Sequence, residues 1–384
     1  MGELTRNVLL IALSAFFADM GYQAVIASFP ILFVIIFKAP VYLLGFVYAI
    51  QYGGGALFGY LGGVASDRFG KKQIAILGNL FIPLLSFIGV AGSYFQAAYL
   101  FIFGWFARDS RSPARRALLA DCTKESRAYA FGVLHFFDIG GGAISLIALV
   151  ALLGVGMPLR SIIIFTIIPI LISSVVLFMV RPDAHISSAH RPIKAIKGRA
   201  KIDAKTIKGV IIASSLFGFS FYSFGFPILT IAQESKSSIY GILSYLLFLA
   251  ISALSGYIIG AYSKKSSPIK SLGVLGYLCA ALGTFVIGLS VLYGHELAYI
   301  GVALLGFGVG AIETLEPTII SNASHNKKTG ARFGALGASR SIGLFIGNIV
   351  MGVLYIASPF YSYMYAAIVS VAAFAIVLHF GSDF

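Results

Sequence analysis

The chain is 384 residues long, 59% hydrophobic and 11% charged, with a formal charge of +14 at pH 7. Its mean hydropathy is +0.93. A soluble domain carries roughly 25% charged and 45–50% apolar residues, so a water-soluble globular fold is excluded, and the basic surplus must be sorted by loop before it can mean nucleic-acid binding. The two cysteines, Cys122 and Cys279, provide neither a disulfide framework nor metal-ligand spacing. No metal and no cofactor are expected.

Apolar runs long enough to cross a bilayer, about 20 residues each, recur along the whole chain and are separated by Gly, Pro, Ser or charge. Twelve spans are predicted, at 6–36, 41–65, 73–92, 95–120, 128–155, 158–180, 207–234, 238–262, 270–292, 297–322, 331–356 and 360–381. The first exceeds the roughly 7–15 apolar residues of a cleavable signal and has no A-x-A-like site after it, so it is expected to remain as a helix. Long Leu/Ile/Ala/Gly/Phe blocks, rather than short alternating segments, predict helices and not barrel strands. The expected fold class is therefore an all-α membrane protein with 12 transmembrane helices.

Sorted by loop, 22 of the 28 Lys and Arg residues fall on one side of the membrane, including Arg68, Lys71, Lys72, Arg115, Arg116 and Arg127. The positive-inside rule makes that side cytoplasmic. Both termini are then cytoplasmic, the protein a multi-pass component of the cell membrane, and the basic charge a topology signal rather than a nucleic-acid footprint. The longest polar stretch, 182–206, divides the spans into six and six. The expected organisation is an N-terminal bundle over 1–181, a cytoplasmic basic linker over 182–206 and a C-terminal bundle over 207–384.

The halves look like parallel copies. FGVLHFFD at 131–138 overlays FGALGASR at 333–340, and ARDSRSP at 107–113 overlays AIETLEP at 311–317, with nearly equal offsets. Between the second and third spans lies GVASDRFGKK, residues 63–72, which places four charges in one short turn. Its glycines permit a tight link, and its bases hold the turn in the cytoplasm. The stretch meets G-x-x-x-D-R/K-x-G-x-R/K-R/K at Gly63, Asp67, Arg68, Gly70, Lys71 and Lys72, and so resembles the signature of the major facilitator superfamily. With twelve spans split six and six around a basic loop, the resemblance covers the whole chain.

The resemblance implies two pseudo-symmetric six-helix bundles and transport by alternating access. It also implies that the 63–72 turn is a cytoplasmic gate, with Asp67 facing Arg127 or Arg332; a topology signal without a gating role is the alternative. The second-half counterpart, GAYSKKSSPIK (260–270), lacks the acid and the second glycine. The family's fourth-span arginine motif is also poorly matched, since Phe101 falls at that arginine's position.

Ionisable side chains inside a span cost about 2.5–3.5 kcal/mol and mark function by default. Counted at 1.5 Å per residue from the cytoplasmic end, Asp19 lies about 20 Å deep, Arg108 and Asp109 about 18–20 Å, Glu313 about 18 Å and Asp138 about 16 Å. Arg111, His135, Glu316 and Arg340 lie about 10–15 Å deep. The first half sets bases on its fourth span, Arg108 and Arg111, against an acid on its fifth, Asp138. The second half reverses the sign, with Glu313 and Glu316 on the tenth span and Arg340 on the eleventh. These groups are either coupling residues or static pairs locking adjacent helices. Adjacent in sequence, Arg108 and Asp109 are expected to point to different faces of one helix.

Asp19 has no base deeper than Arg6 on its own span, while Tyr22 and Gln23 lie one turn on. A lone carboxylate at that depth can load and release a proton; a bridge to Arg108 or Arg111 is the alternative. His135 either relays a proton or hydrogen-bonds Asp138. Gln51 and Tyr222 are further cavity candidates, and the glycine-rich faces GGGALFGYLGG (53–63) and GFGVG (306–310) predict close helix packing. No nucleotide-binding loop occurs.

The expected function is proton-coupled export of a small organic compound. Uptake or export of an organic anion or metal ion is one alternative, and a non-transporting membrane receptor or enzyme is another. The expected partners are a small-molecule substrate, protons and the lipid bilayer, with the protein a monomer.

Overall fold

A computed structural model describes residues 6–122, 127–181, 204–220, 223–262, 268–323 and 329–380. Side chains at 120, 127–132, 204–207, 260–262, 268, 317–318, 320–323 and 329–338 lie outside that description. The described residues form helices and no strand. In chain order the helices are α1 (Arg6–Ile36), α2 (Val41–Phe69), α3 (Lys71–Val90), α4 (Tyr94–Asp121), α5 (Arg127–Gly154) and α6 (Leu159–Phe178). There follow α7 in two pieces (Ala204–Ser220 and Gly225–Glu234), α8 (Ser238–Tyr262), α9 (Ile269–Tyr293), α10 (Glu296–Ala323), α11 (Thr329–Ala357) and α12 (Pro359–Phe380).

Among the described residues, eleven stretches are long and apolar enough to cross a membrane. The exception is α4, whose first 18 residues already contain Arg108, Asp109 and Arg111. The spans are not uniform α-helix. Past Pro30, which supplies no N–H, α1 widens into a π-helical turn at Ile31–Ile36. Around Pro83, α3 tightens into 3₁₀ geometry over Ile82–Val90.

The helices collect into two compact units, one of Met1–Ala39 and Gly54–Lys194, the other of Pro40–Gly53 and Ala195–Phe384. The boundary falls inside α2, because residues 40–53 pack with the second set. There a Cβ on Gly45 would lie 2.9 Å from Gly352 Cα of α11, so only glycine permits that approach.

In the first unit α1 packs on α5 and α6, and α3 on α4. Ile11, Ala15, Ala75, Ala114, Leu118, Leu134 and Leu177 interdigitate in its core. Phe101, at the position where the family has an arginine, stacks on Phe29 with centroids 3.9 Å apart. The α2 glycines face α4, and a Cβ on Gly62 would come within 2.6 Å of Ser110 Cα. At the far end of α3, Arg160 of α6 donates from Nε to the Gly89 carbonyl (3.0 Å) and from Nη2 to the Ala91 carbonyl (2.5 Å), with its guanidinium 5.4 Å from the Phe37 ring centroid. Terminal carbonyls lack intrahelical partners, so Arg160 caps α3 while tying it to α6. Arg160→Ala is expected to lower stability by about 1–3 kcal/mol, read as a lower thermal unfolding midpoint in detergent.

In the second unit α10 packs between α8 and α9, and α7 against α11 and α12. The GFGVG stripe serves both neighbours of α10. A Cβ on Gly308 would stand 2.6 Å from the Ala280 nitrogen on α9, whereas one on Gly306 would stand 3.0 Å from the Phe248 carbonyl on α8. Residues two apart point to different sides of a helix, so one five-residue stretch seats two helices. Gly308→Leu is expected to force α9 and α10 apart, at about 1–3 kcal/mol or more, with loss of monodisperse protein on size exclusion.

Candidate functional site

Asp19 lies in the interior of the first unit, 5% exposed. Tyr22, one helical turn on, donates its hydroxyl proton to Asp19 Oδ1, since an i, i+3 spacing sets both on one face. Asp19 Oδ2 is buried and meets no hydrogen-bond partner among the described residues. No ion pair among them joins Asp19 to Arg108 or Arg111.

Those two arginines are engaged elsewhere. Arg108 Nη1 reaches Asp109 Oδ1 at 2.8 Å, and its guanidinium lies 4.6 Å from the Trp105 ring centroid and 5.5 Å from that of Tyr22. The expectation that neighbours 108 and 109 diverge is therefore corrected, because the long arginine side chain folds back along its own helix. Beside them Gly55 of α2 makes room for Asp109, whose Oδ2 would collide with any Cβ there.

Arg111, 1% exposed, donates from Nη1 to Asn79 Oδ1 at 2.6 Å. Asn79 Nδ2 in turn donates to Ser173 Oγ (3.1 Å) and Ser174 Oγ (2.8 Å), and Ser173 exchanges hydrogen bonds with Ser14 on α1. A polar thread thus runs from α4 through α3 and α6 to α1. Inside an apolar bundle each such group needs a partner, and Arg111 has an amide where an acid was expected.

The acid Asp138 is met by Arg115, whose Nη2 lies 3.2 Å from Oδ2 and 3.3 Å from Oδ1. Sequence patterning counts Arg115 among the bases holding a cytoplasmic loop, yet it is only 4% exposed. The reason is helical continuity: α4 runs on to Asp121, so position 115 sits one turn past 111 on the same side, facing α5. His135, one turn before Asp138, is exposed, and no described hydrogen bond joins the two. Gln23 packs against α5 at Gly142. Gln51, in the second unit, is buried with Oε1 unpartnered among the described residues. Tyr222 lies outside the described residues.

In the second unit Arg340 forks between two acids. Its Nη1 meets Glu313 Oε1 and its Nη2 meets Glu316 Oε2, each at 2.5 Å. Glu316 is fully buried and also accepts from Tyr277 Oη (2.5 Å) and Ser214 Oγ (3.0 Å). Glu313 is 55% exposed. The swapped polarity of the repeat is thus realised within each unit, acid 138 facing a base of α4 and base 340 facing acids of α10.

Around the 63–72 turn, Gly70 adopts φ +100, a left-handed conformation that glycine takes without strain. Lys71 Nζ bonds Asp121 Oδ2 at 2.7 Å and Oδ1 at 2.9 Å, tying the turn to the end of α4. Lys72 Nζ lies 5.0 Å from the Phe178 ring centroid, and Arg68 lies over Phe69. Gly63 rests against Pro113. Asp67 is exposed, and the side chains of Arg127 and Arg332, its expected partners, lie outside the described residues.

Asn79, Ser214, Tyr277 and Asp121 are therefore part of these networks although no charge pattern marks them, and Arg115 joins them although the pattern counts it as a loop base. Only Arg115 carried a usable signal, its four-residue spacing from Arg111. Among the described residues no three His, Cys, Asp or Glu side chains come together as a metal site.

A family model described as Major Facilitator Superfamily matches residues 11–299 and 210–383. An uncharacterized MFS-type transporter of Methanocaldococcus jannaschii is 21% identical over 385 residues, covering 98% of this chain and 95% of that one. Among solved structures, the nucleoside transporter NupG (D323A mutant) superposes with a TM-score of 0.77 at 11% identity, over 99% of this chain and 100% of its own. A D-xylose-proton symporter superposes at 0.76 and 15% identity, over 97% of each chain. A bacterial homolog of the human lysosomal transporter Spinster, inward-facing and occupied, gives 0.74 at 15% identity, over 98% of this chain and 96% of its own.

Proposed function

The chain belongs to the major facilitator superfamily, and on that premise we propose that it is a proton-coupled secondary transporter exporting a small organic compound, with Asp19 as the proton carrier. It is a multi-pass membrane protein of a transporter family. The reading adds that it resides in the cell membrane with both termini cytoplasmic, that it is not an enzyme, and that it works by alternating access with halves 1–181 and 207–384. The turn carrying Asp67, Arg68, Gly70, Lys71 and Lys72 serves in it as the cytoplasmic gate.

One observation carries the coupling assignment. Asp19 is a buried carboxylate with one oxygen held by Tyr22 and the other unmet among the described residues. An unpaired buried charge is costly, and a proton removes that cost, so Asp19 is poised to alternate between two charge states. Proteins of similar fold include a nucleoside transporter, a D-xylose-proton symporter and a peptide transporter, so the fold leaves the substrate open. Aromatic side chains of the second unit, Phe224, Phe226, Tyr245 and Phe248, favour an organic substrate.

An organic anion is the second reading. Arg111 is a buried guanidinium whose described hydrogen bond goes to a neutral amide rather than to a carboxylate, so its charge is left for an anion to balance. Liposome flux of candidate compounds, with and without an imposed pH gradient, tests both readings. Export coupled to protons requires flux that follows the gradient, whereas a receptor or enzyme shows none.

A further inference from the structure

We propose that Arg111 is the receptor for a monovalent anion inside the first unit, and that Asn79 sets its charge selectivity by holding it with a neutral amide. The inference rests on the organic-anion reading above and names the group that meets the negative charge.

Arg111 leaves α4 where that helix approaches α3 most closely. A Cβ on Gly78 would stand 2.8 Å from Arg111 Cβ and 2.9 Å from the Ala107 carbonyl. The side chain is 1% exposed, and its one described hydrogen bond runs from Nη1 to Asn79 Oδ1 at 2.6 Å. Its Nε is buried and has no partner among the described residues. A guanidinium carries five N–H donors and no acceptor, so most of the capacity of this one is unused. Among the described ion pairs Arg108 is matched by Asp109 and Arg115 by Asp138, whereas none includes Arg111.

The surroundings of position 79 demand an amide. Ser173 donates its hydroxyl proton to the Ser14 carbonyl (2.6 Å), and Ser174 donates its own to the Ile170 carbonyl (3.2 Å). Both serine oxygens are thereby left to accept, and they accept from Asn79 Nδ2 at 3.1 and 2.8 Å. With its nitrogen committed, the amide turns only its oxygen to Arg111. The chain of bonds thus orients the guanidinium without cancelling its charge.

Arg340 of the second unit shows the opposite arrangement, a base answered by the carboxylates of Glu313 and Glu316. Such a base has no need of an anion. A buried guanidinium answered by an amide does, because an uncompensated charge in a low-dielectric interior is costly.

The chemistry fits a carboxylate on the transported compound or a free inorganic anion, and one experiment separates the two. Thermal unfolding of the purified full-length protein in detergent is followed at constant ionic strength while the sodium salt of a bulky sulfonate, HEPES, is replaced by chloride, nitrate, acetate or benzoate. A saturable rise in the midpoint, of about 3–5 °C at about a hundredfold excess over half-saturation, is expected. Saturation by chloride or nitrate marks a free anion, and saturation by acetate or benzoate alone marks a substrate head group; either supports the receptor. Arg111→Gln is expected to abolish the rise. Asn79→Asp is expected to abolish it too, since it gives Arg111 a carboxylate of its own while the two serine hydroxyls turn to donate. Asn79→Ala leaves the charge open but loses the orienting bond, and is expected to raise the half-saturating concentration roughly tenfold. A purely structural role for Asn79 would lower stability in both variants without separating their anion responses. If Arg111→Gln does not fold, Asn79→Asp, which keeps the arginine, carries the test. A native-like rise in Asn79→Asp or Arg111→Gln would overturn the inference. If no anion gives a saturable rise in the native protein, the organic-anion reading itself falls and the receptor with it, a distinguishable result.

Discussion

Asp19→Asn is expected to reduce proton-driven flux in liposomes to background while leaving the protein folded and substrate counterflow intact. Asparagine matches the carboxylate in shape, and its amide oxygen can still accept from the Tyr22 hydroxyl, so the local packing at 5% exposure is retained. What it cannot do is exchange charge with a proton. Counterflow of labelled for unlabelled compound moves no net proton and so isolates substrate binding and rocking from coupling. Because the substitution also removes a charge from an apolar interior, the thermal unfolding midpoint is expected to hold level or rise, opposite in sign to most buried substitutions. An Asn variant that concentrates substrate against a pH gradient as the native protein does would disprove the assignment.

The second large effect is structural. Arg340→Met is expected to destabilise the second unit by about 3–5 kcal/mol, because it strips the base from a fully buried Glu316 and leaves a buried charge uncompensated. Glu313→Ala at the same fork is expected to cost only about 0–1 kcal/mol, since that carboxylate is 55% exposed and water replaces the arginine. Adding Glu316→Gln to Arg340→Met is expected to recover most of the loss, since a neutral amide can accept from one of the Tyr277 and Ser214 hydroxyls through its oxygen and donate to the other through its nitrogen. Thermal unfolding in detergent, monitored by intrinsic fluorescence, ranks the three. Equal losses for Arg340→Met and Glu313→Ala would show that the network is not the buried triad its geometry describes.

These effects bear on what the two units share. Each sets its fourth-helix charges against its fifth-helix charge with reversed sign, yet the first leaves donors on Arg115 unspent while the second saturates Arg340. In the same way Lys71, bonded to Asp121, ties the signature turn to α4 within one unit and leaves Asp67 exposed for other contacts.

Composition alone dictated a helical membrane protein, because runs of about 20 apolar residues leave backbone groups no water to bond and helices satisfy them internally. Glycine spacing likewise announced close packing along α2 and α10, since a missing Cβ is a local property, while the partners, α4 for the one and α8 and α9 for the other, came from the tertiary structure. Charges at membrane depth could be found by counting, which is how Asp19, Asp138, Glu316 and Arg340 were singled out. Their partners could not. Whether Arg111 meets an acid or Asn79, and whether Arg115 is a loop base or a buried counter-ion, depends on which helices are neighbours and how each is rotated about its axis. Arg115 makes the point most sharply: topology counting assigns it to water, and only the continuation of α4 past Pro113, packed beside α5, turns it inward to Asp138.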